Sequence, residues 1–264
     1  SGALMGFAAD WLALRAPADG AARNGELRDR LVAWAAGQAR LEIFDLGSGT
    51  GSTMRALAPL MPDHQRWTLF DIDPALRVEA ARLAAGSAHL AAVEAADLAA
   101  DLEAVLAREP DVLTASALID LCSAAWLDRL ATALPARTAV YIALSYDGRE
   151  AWLPEPPHEA RALAAFRAHQ EGDKGFGPAL GPGAAPYLAE ALEARGRTVL
   201  LRESPWRIAG DSPLARELAR GGAEAVREMG VLNPAEWSDW RAGRLAAETV
   251  TVGHLDLLAL PVGA

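Results

Sequence analysis

Residues 43–51 read Ile-Phe-Asp-Leu-Gly-Ser-Gly-Thr-Gly, and an acid, Asp71, stands twenty residues beyond the last of these glycines. The apolar start of this stretch is typical of the end of a buried strand. Glycine at every second position lets the backbone turn sharply and come close to a ligand. Ser52 and the helical spacing after it predict a helix over 52–61 that begins with a hydroxyl cap. Strand, glycine loop, helix, strand and acid, in this order, predict a nucleotide-binding crevice.

The spacing of the glycines narrows the choice of nucleotide. A dinucleotide fingerprint is Gly-x-Gly-x-x-Gly, whereas Gly47, Gly49 and Gly51 follow the pattern Gly-x-Gly-x-Gly. Asp45 precedes the loop by two residues, and a carboxylate there would repel a pyrophosphate but suits a ligand with an ammonium group. S-adenosyl-L-methionine (SAM) carries an α-amino group, a sulfonium cation and a ribose, and it has no phosphate. The pattern therefore favours SAM over a nicotinamide dinucleotide.

In these motifs the chain resembles the class I SAM-dependent methyltransferases, whose first motif corresponds to residues 45–51. The resemblance covers roughly residues 40–145 and, more loosely, the last strand. It implies an α/β fold, a Rossmann-like three-layer sandwich with a mostly parallel seven-stranded sheet, an antiparallel last strand and added cap helices. It also implies SAM as the cofactor and S-adenosyl-L-homocysteine as the product. The residues that it implies for cofactor binding are Asp45, Gly47, Ser48, Gly49, Gly51, Asp71, Ile72, Asp97, Leu98 and Ala115.

The resemblance assigns a role to each part of this set. Asp45 would orient the ammonium end, Asp71 would hold the ribose hydroxyls, and Asp97 with Leu98 would frame the adenine. A solvated acid at a strand end is the alternative for Asp71, and an acid of a short loop is the alternative for Asp97. We expect Asp73 to cap a helix rather than to contact the ligand, because a proline follows it.

Methyl transfer to a hydroxyl or a protonated amine also requires a base. The candidate catalytic residues are His169, Asp120 and Tyr146. His169 lies in a polar cluster, residues 167–174, for which a solvated helix C-terminus is the alternative. Asp120 and Tyr146 follow the fourth and fifth predicted strands, where substrates of open α/β sheets bind.

Two further residues near the expected site have structural alternatives. His254 points into the crevice or caps the sheet, and the sequence favours the structural role. Trp206 stacks on a planar substrate or fills a turn. Residues 114–120 contain no Asn-Pro-Pro-Tyr or Asp-Pro-Pro-Tyr, and in the resembling family this absence argues against methylation of DNA bases and amide nitrogens.

Composition bears on partners and compartment. The formal net charge is −10, and no basic stretch with interleaved aromatic residues occurs, which argues against nucleic acid as a partner. Cys122 is the single cysteine, so the sequence predicts no disulfide framework, no zinc site and a reducing cytoplasmic compartment. No apolar run approaches the roughly 20 residues of a membrane span, so no membrane contact is expected.

The pattern of elements predicts one main domain with additions. Residues 3–40 are predicted as N-terminal helices that cover the site, and packing on the sheet is their alternative role. Residues 41–264 are predicted as the SAM-binding domain, with helical insertions at about 150–195 and 212–247. Strands and helices alternate up to residue 145, which is typical of a parallel sheet. A loop is predicted at 147–157.

The sequence therefore predicts methyl transfer from SAM to a small-molecule acceptor. A methyltransferase acting on a protein or tRNA and a non-catalytic SAM-binding subunit are the alternatives within SAM-binding proteins. A nicotinamide-dependent oxidoreductase is the alternative outside them, and the glycine spacing and Asp45 argue against it.

Overall fold

The structure is a computed structural model that describes residues 9–170 and 172–261. Leu4 and Phe7 of the first predicted helix, Glu171 of the predicted polar cluster, and residues 262–264 lie outside the described residues.

Strands and helices alternate through the first part of the chain, as the sequence predicts. Two helices come first, α1 (Ala9–Ala22) and α2 (Gly25–Ala35). The alternating part consists of β1 (Leu41–Leu46), α3 (Ser52–Leu57), β2 (Gln65–Asp71), α4 (Pro74–Ala85), β3 (Leu90–Ala95), α5 (Leu102–Leu106), β4 (Val112–Ser116), α6 (Ala124–Ala133) and β5 (Ala139–Leu153). The remaining elements are α7 (Glu159–Gln170), α8 (Ala184–Glu193), β6 (Val199–Glu203), β7 (Trp206–Ala209), α9 (Pro213–Met229), α10 (Pro234–Leu245) and β8 (Thr249–Ala259).

The sheet has the order β3-β2-β1-β4-β5-β8-β6, with β7 also paired to β8. The first five strands are parallel, and β8 runs antiparallel to its neighbours β5 and β6. The strand order reverses between β1 and β4, which is where ligands of open α/β sheets bind. The predicted α/β sandwich with a mostly parallel sheet and an antiparallel last strand is confirmed.

The predicted number of seven strands is wrong, because the described residues form an eight-stranded sheet. The additional strand, β7, has only four residues and lies between Pro205 and Gly210. It pairs with the first residues of β8. A run this short between two turn-forming residues carries no periodic signal, so the pairing with β8 decides its conformation.

The predicted loop at 147–157 is also partly wrong, because β5 continues to Leu153. Its pairing with β8 shifts register twice, between Ile142 and Ser145 and between Tyr146 and Glu150. Leu144 has φ 59° and Gly148 has φ 83° at these irregularities. β-bulges bend a strand without ending it. With two such irregularities, β5 continues past the end of its pairing with β4.

Hydrophobic side chains fill both faces of the sheet and make the three layers. Leu106, Trp126 and Leu188 of α5, α6 and α8 belong to the core on one face. Leu31 and Leu57 of α2 and α3 belong to the core on the other face. Nearly all of these side chains are completely buried, so the sheet provides a rigid base for the residues at its edge.

A separate core lies above the carboxyl edge and forms the cap. Tyr146 and Trp152 of the extended β5 pack there with Trp206 of β7 and Leu214 of α9, and Leu14 of α1 packs against this group. A neighbouring cluster joins α7, α9 and α10 around the fully buried Trp240. The predicted helices at 158–171, 212–229 and 234–247 are confirmed within one or two residues at their described ends.

Among residues 9–170 and 172–261, no helix has both the length and the apolar character needed to span a membrane.

Candidate active site

The glycine loop joins β1 to α3 at the carboxyl edge of the sheet. Gly47, Gly49 and Gly51 have φ values of 59°, 54° and 84°, a left-handed conformation that favours glycine. Gly51, rather than the predicted hydroxyl of Ser52, is the N-terminal cap residue of α3, and no side chain caps that helix. The backbone amide of Ser48 donates to the carbonyl of Phe70 in β2, which fixes the loop against the neighbouring strand.

Asp71 lies at the end of β2 and faces this loop. Its Oδ2 accepts a hydrogen bond of 2.8 Å from the amide of Gly49, and its Oδ1 accepts one of 2.9 Å from the amide of Asp73. An ionised carboxylate has about four acceptor positions. Asp71 therefore keeps acceptor capacity for two ligand hydroxyls while its orientation is fixed by the backbone. The predicted helix cap at Asp73 is confirmed, since its side chain accepts from the amides of Ala75 and Leu76.

Asp45 is completely buried at the end of β1. The hydroxyl of Thr114 in β4 donates to its Oδ1 at 2.7 Å, and its Oδ2 has no hydrogen-bond partner among the described residues. Burial raises the pKa of Asp45 to about 7, and the Thr114 hydrogen bond opposes that rise. A buried carboxylate oxygen without a partner is costly. Such an atom fits a cationic or hydrogen-bonding group supplied by a ligand.

Arg23, which the sequence did not indicate, lies beside this carboxylate. Its Nη1 donates to the hydroxyl of Ser116 at 3.1 Å, and that hydroxyl is 2.9 Å from the Thr53 hydroxyl of α3. Nη2 of Arg23 is buried and has no hydrogen-bond partner among the described residues. The hydroxyl of Ser48, on the glycine loop, is also buried and has no such partner. A guanidinium NH₂ group that lacks a partner is a ready ligand for a carboxylate.

A buried carboxylate in β8 fixes the chain next to Arg23. Asp256 accepts from the amide of Asn24 at 2.8 Å, from the amide of Leu144 at 2.8 Å and from the Ser204 hydroxyl at 2.5 Å. Burial raises the pKa of Asp256. This carboxylate thus joins the start of α2, the bulge of β5 and the connection between β6 and β7, and it holds Arg23 at the edge of the sheet.

The remaining residues of the predicted cofactor set lie along the same edge in different environments. Ile72 follows Asp71 and is half exposed. Asp97 is exposed and accepts from the amide of Ala99, which is typical of a turn. Leu98 and Ala115 are buried, and the carbonyl of Leu98 accepts from the indole of Trp126. Their side chains belong to the core beneath the crevice.

Asp120 and Tyr146, two of the three predicted catalytic residues, follow the parallel parts of β4 and β5. Asp120 lies in the turn after β4, and its Oδ1 is buried without a partner among the described residues. Burial raises the pKa of Asp120 to about 6. Tyr146 of β5 donates its hydroxyl to Glu150 at 3.2 Å, and burial raises its pKa above the ordinary range of tyrosine.

His169, the third predicted catalytic residue, lies at the end of α7 rather than after a strand of the sheet. Its Nε2 lies 3.0 Å from Oε2 of Glu228 on α9, and both side chains are partly exposed. The pair joins the end of α7 to α9 on the cap. His169 therefore already has a carboxylate partner on its imidazole.

His254 lies opposite Tyr146 in the pairing of β5 with β8. Its ring is 4.8 Å from Trp206 and 6.4 Å from Tyr146, measured between centroids. It is only 4 % exposed, and its Nδ1 has no partner among the described residues. Burial lowers the pKa of His254 to about 4, so the imidazole is neutral at physiological pH.

The buried face of α1 and its C-terminus carry charged side chains that the sequence reading missed. Arg15, Asp19 and Arg23 are spaced four residues apart and are all buried. Leu12, on the same helix, contacts the glycine loop, since a Cβ on Gly49 would lie 3.0 Å from its Cδ1. The sequence did carry a signal for this arrangement, namely charged residues repeated every four positions. A helix that only packs on a sheet has an apolar stripe at that spacing instead.

Among the described residues, no three His, Cys, Asp or Glu side chains are grouped as a metal site requires.

Comparison with solved structures places this fold among known proteins. A candidate methyltransferase from Bacillus halodurans has a TM-score of 0.53 at 13% identity, covering 89% of this chain and 97% of that one. A cyclopropane-fatty-acyl-phospholipid synthase-like protein from Lactobacillus casei has a TM-score of 0.52 at 16% identity, with coverages of 93% and 99%. The YcgJ protein from Bacillus subtilis has a TM-score of 0.51 at 12% identity, with coverages of 91% and 100%.

No family model matches the sequence, and a search of curated proteins found no match. The structural likeness shows the fold alone: the chain shares the Rossmann-like α/β fold of these three proteins.

Proposed function

We propose that this protein is a SAM-dependent methyltransferase that methylates a small-molecule acceptor and releases S-adenosyl-L-homocysteine. The observation that carries the proposal is the set of unpartnered buried atoms around the glycine loop, namely Arg23 Nη2, Asp45 Oδ2 and the Ser48 hydroxyl. A free amino acid group has a carboxylate for the guanidinium and an ammonium for the carboxylate. The methionine end of SAM therefore fits this donor and acceptor set.

This proposal assigns a separate role to each residue of the site. Arg23 binds the methionine carboxylate, Asp45 balances the ammonium group, and Asp71 accepts hydrogen bonds from the ribose hydroxyls. Ile72, Asp97 and Leu98 line the adenine end. SAM, when bound, supplies a methyl group on a sulfonium, which is already an activated leaving group. The protein then needs to align the acceptor, exclude water and receive a proton.

The N-terminal helices are proposed to cover this crevice. Leu12 of α1 contacts the glycine loop, and Arg15 and Asp19 lie on the buried face of the same helix. The remainder of the chain, with its helical insertions, supplies the sheet and the cap. Among the predicted bases, Asp120 is favoured over His169, because the imidazole of His169 is paired with Glu228.

Calorimetric titration of SAM into the Asp71→Asn variant tests the assignment of the ribose site. The amide has the same shape but offers one acceptor oxygen, so it cannot satisfy Gly49, Asp73 and two ribose hydroxyls together. We expect SAM binding to weaken by about 1–3 kcal/mol. Asp73→Asn is the matched control, because asparagine caps a helix as well as aspartate does and affinity should be retained. Equal affinities for SAM in the Asp71→Asn variant and the wild type would remove Asp71 from the site.

The pH dependence of SAM affinity tests Asp45. Its pKa of about 7 means that a substantial fraction is protonated near neutrality. An ammonium group beside it favours the ionised form, so binding should release a proton. Affinity should therefore rise as the pH increases through about 7 and level off above it. Titrations in buffers of different ionisation enthalpy measure the released proton, which Asp45→Asn should abolish. An affinity that falls over the same range would contradict the assignment.

A further inference from the structure

Outside the glycine-loop set, five buried side-chain atoms lack a hydrogen-bond partner among the described residues; they belong to Asp120, Tyr141, Ser145, Gln170 and His254. Two of these side chains can take up a proton, through Oδ1 of Asp120 in the turn after β4 and Nδ1 of His254 on β8. Asp120 follows the carboxyl end of β4, and His254 lies opposite Tyr146, in the part of β5 that continues past the end of its pairing with β4. The reacting end of a ligand is expected at this edge of the sheet. A buried polar atom that the protein leaves without a partner among its described residues is a point at which a ligand can contribute a hydrogen bond.

Trp206 fixes His254 without competing for the ligand. The indole lies 4.8 Å from the imidazole centroid, and the guanidinium of Arg15 lies over the same indole at 4.8 Å from its centroid. Its Nε1 donates to Asp19 at 3.0 Å, and Trp206 is 3% exposed. Trp206 is therefore a positioning residue. His254 and Arg15 cover its ring, so a substrate does not stack on it as one of the two sequence-based interpretations expected.

Arg15 connects the two unsatisfied groups electrostatically. It forms two hydrogen bonds with Asp19, of 2.8 and 3.0 Å, and is itself buried. Its positive charge lowers the pKa of both Asp120 and His254, although burial is the larger influence on each. Both groups thus lie within the field of one guanidinium. Asp19 balances much of that charge, so the larger influence on both groups is burial, which makes a charged acceptor costly to bind.

We propose that Asp120 and His254 form the acceptor subsite of this enzyme, and that they bind an uncharged compound with two hydrogen-bonding groups, one of which is the hydroxyl that is methylated. This inference rests on the proposed methyltransferase function. Asp120 accepts the hydrogen of the reacting hydroxyl, and Nδ1 of His254 forms a hydrogen bond with the second group. In the reaction, the hydroxyl oxygen forms the bond to the methyl carbon, and the carbon–sulfur bond breaks with its electron pair moving to sulfur. The hydroxyl proton passes to the Asp120 carboxylate.

Three small probes distinguish the acceptor classes: catechol with two hydroxyls, phenol with one, and benzylamine with a cationic ammonium. Each is titrated into protein saturated with S-adenosyl-L-homocysteine, and the imidazole signals of His254 are followed by nuclear magnetic resonance. We expect catechol to bind most tightly and to shift these signals, phenol to bind several-fold more weakly, and benzylamine to bind weakest. Benzylamine binding as tightly as catechol, or His254 signals that millimolar catechol leaves unmoved, would overturn the proposal.

Variants separate this inference from the cofactor site. Asp120→Asn should weaken catechol binding about tenfold or more, and His254→Gln should weaken it by a factor of about 2 to 10, with unchanged affinity for S-adenosyl-L-homocysteine. His64→Gln, at an exposed histidine before β2, is the matched control and should change neither. If the wild-type protein does not bind S-adenosyl-L-homocysteine, the proposed function itself is contradicted. If Asp120→Asn and His254→Gln both bind catechol as tightly as the wild type, only the acceptor subsite is contradicted.

Discussion

Replacing Arg244 with methionine should lower the free energy of unfolding by about 3–5 kcal/mol, because it leaves two buried carboxylates without their cation. Arg244 Nη2 lies 3.0 Å from Glu150 and 2.6 Å from Glu159, and its side chain is 2% exposed. The guanidinium also lies over the rings of Trp152 and Trp240, at 4.5 and 4.8 Å from their centroids. Methionine is apolar and can satisfy neither carboxylate. Urea unfolding followed by tryptophan fluorescence measures the loss.

Arg161→Met is the matched control for this change. Arg161 pairs with Glu236 at 3.0 Å, and its side chain is 55% exposed. Exposed pairs contribute about 0–1 kcal/mol, so this variant should unfold close to the wild type. A loss in Arg244→Met no larger than in Arg161→Met would show that the buried cluster does not hold the cap together. The cluster of Arg244, Glu150 and Glu159 matters for the site because Glu150 also accepts a hydrogen bond from the hydroxyl of Tyr146.

The second large effect is expected on cofactor affinity. If Arg23 binds the methionine carboxylate as proposed, Arg23→Met should weaken SAM binding by about 1.5–3 kcal/mol, roughly 10- to 150-fold in Kd, because a charge-assisted hydrogen bond is lost. Methionine keeps most of the apolar volume, so the change chiefly removes the charge and the contact with Ser116. Isothermal titration calorimetry gives the Kd, and thermal unfolding of the same sample shows whether the fold is retained.

Arg30→Met provides the comparison for Arg23. Arg30 belongs to α2, pairs with Glu26 and is 56% exposed in its side chain. Its removal changes the net charge by the same amount, and SAM affinity should remain that of the wild type. If the two variants bind SAM equally well, Arg23 does not contact the cofactor, and its unpartnered Nη2 requires another explanation.

The parts of the site that lie close together in the sequence were predictable. The glycine loop and Asp71 belong to one strand–loop–helix–strand unit, whose geometry depends on local backbone preferences. In the structure, Oδ2 of Asp71 accepts a hydrogen bond of 2.8 Å from the amide of Gly49, so the loop and the acid are in contact. Asp45 was also predicted, but its complete burial and its unpartnered oxygen follow from its pairing with Thr114 on a strand distant in sequence.

The cap was less predictable, because its elements depend on one another. Residues 147–153 contain an aspartate and a glycine that are typical of a turn, yet they form a strand because β8 offers hydrogen-bonding partners. Trp206 was read as a stacking residue or a turn residue. Whether its ring is free depends on Arg15 and His254, which lie far from it in sequence.

The amino-acid sequence by itself determined the class of fold, and it predicted where a ligand would bind and which chemistry that ligand would have. These follow from periodicity and from motifs a few residues long, in which each residue's conformation is set by its neighbours in the chain. Only the tertiary structure decided which charged side chains enter the crevice and which carboxylates remain without a partner. Burial and hydrogen-bond pairing depend on contacts between distant segments, and these bring Arg23, Asp120 and His254 to one edge of the sheet.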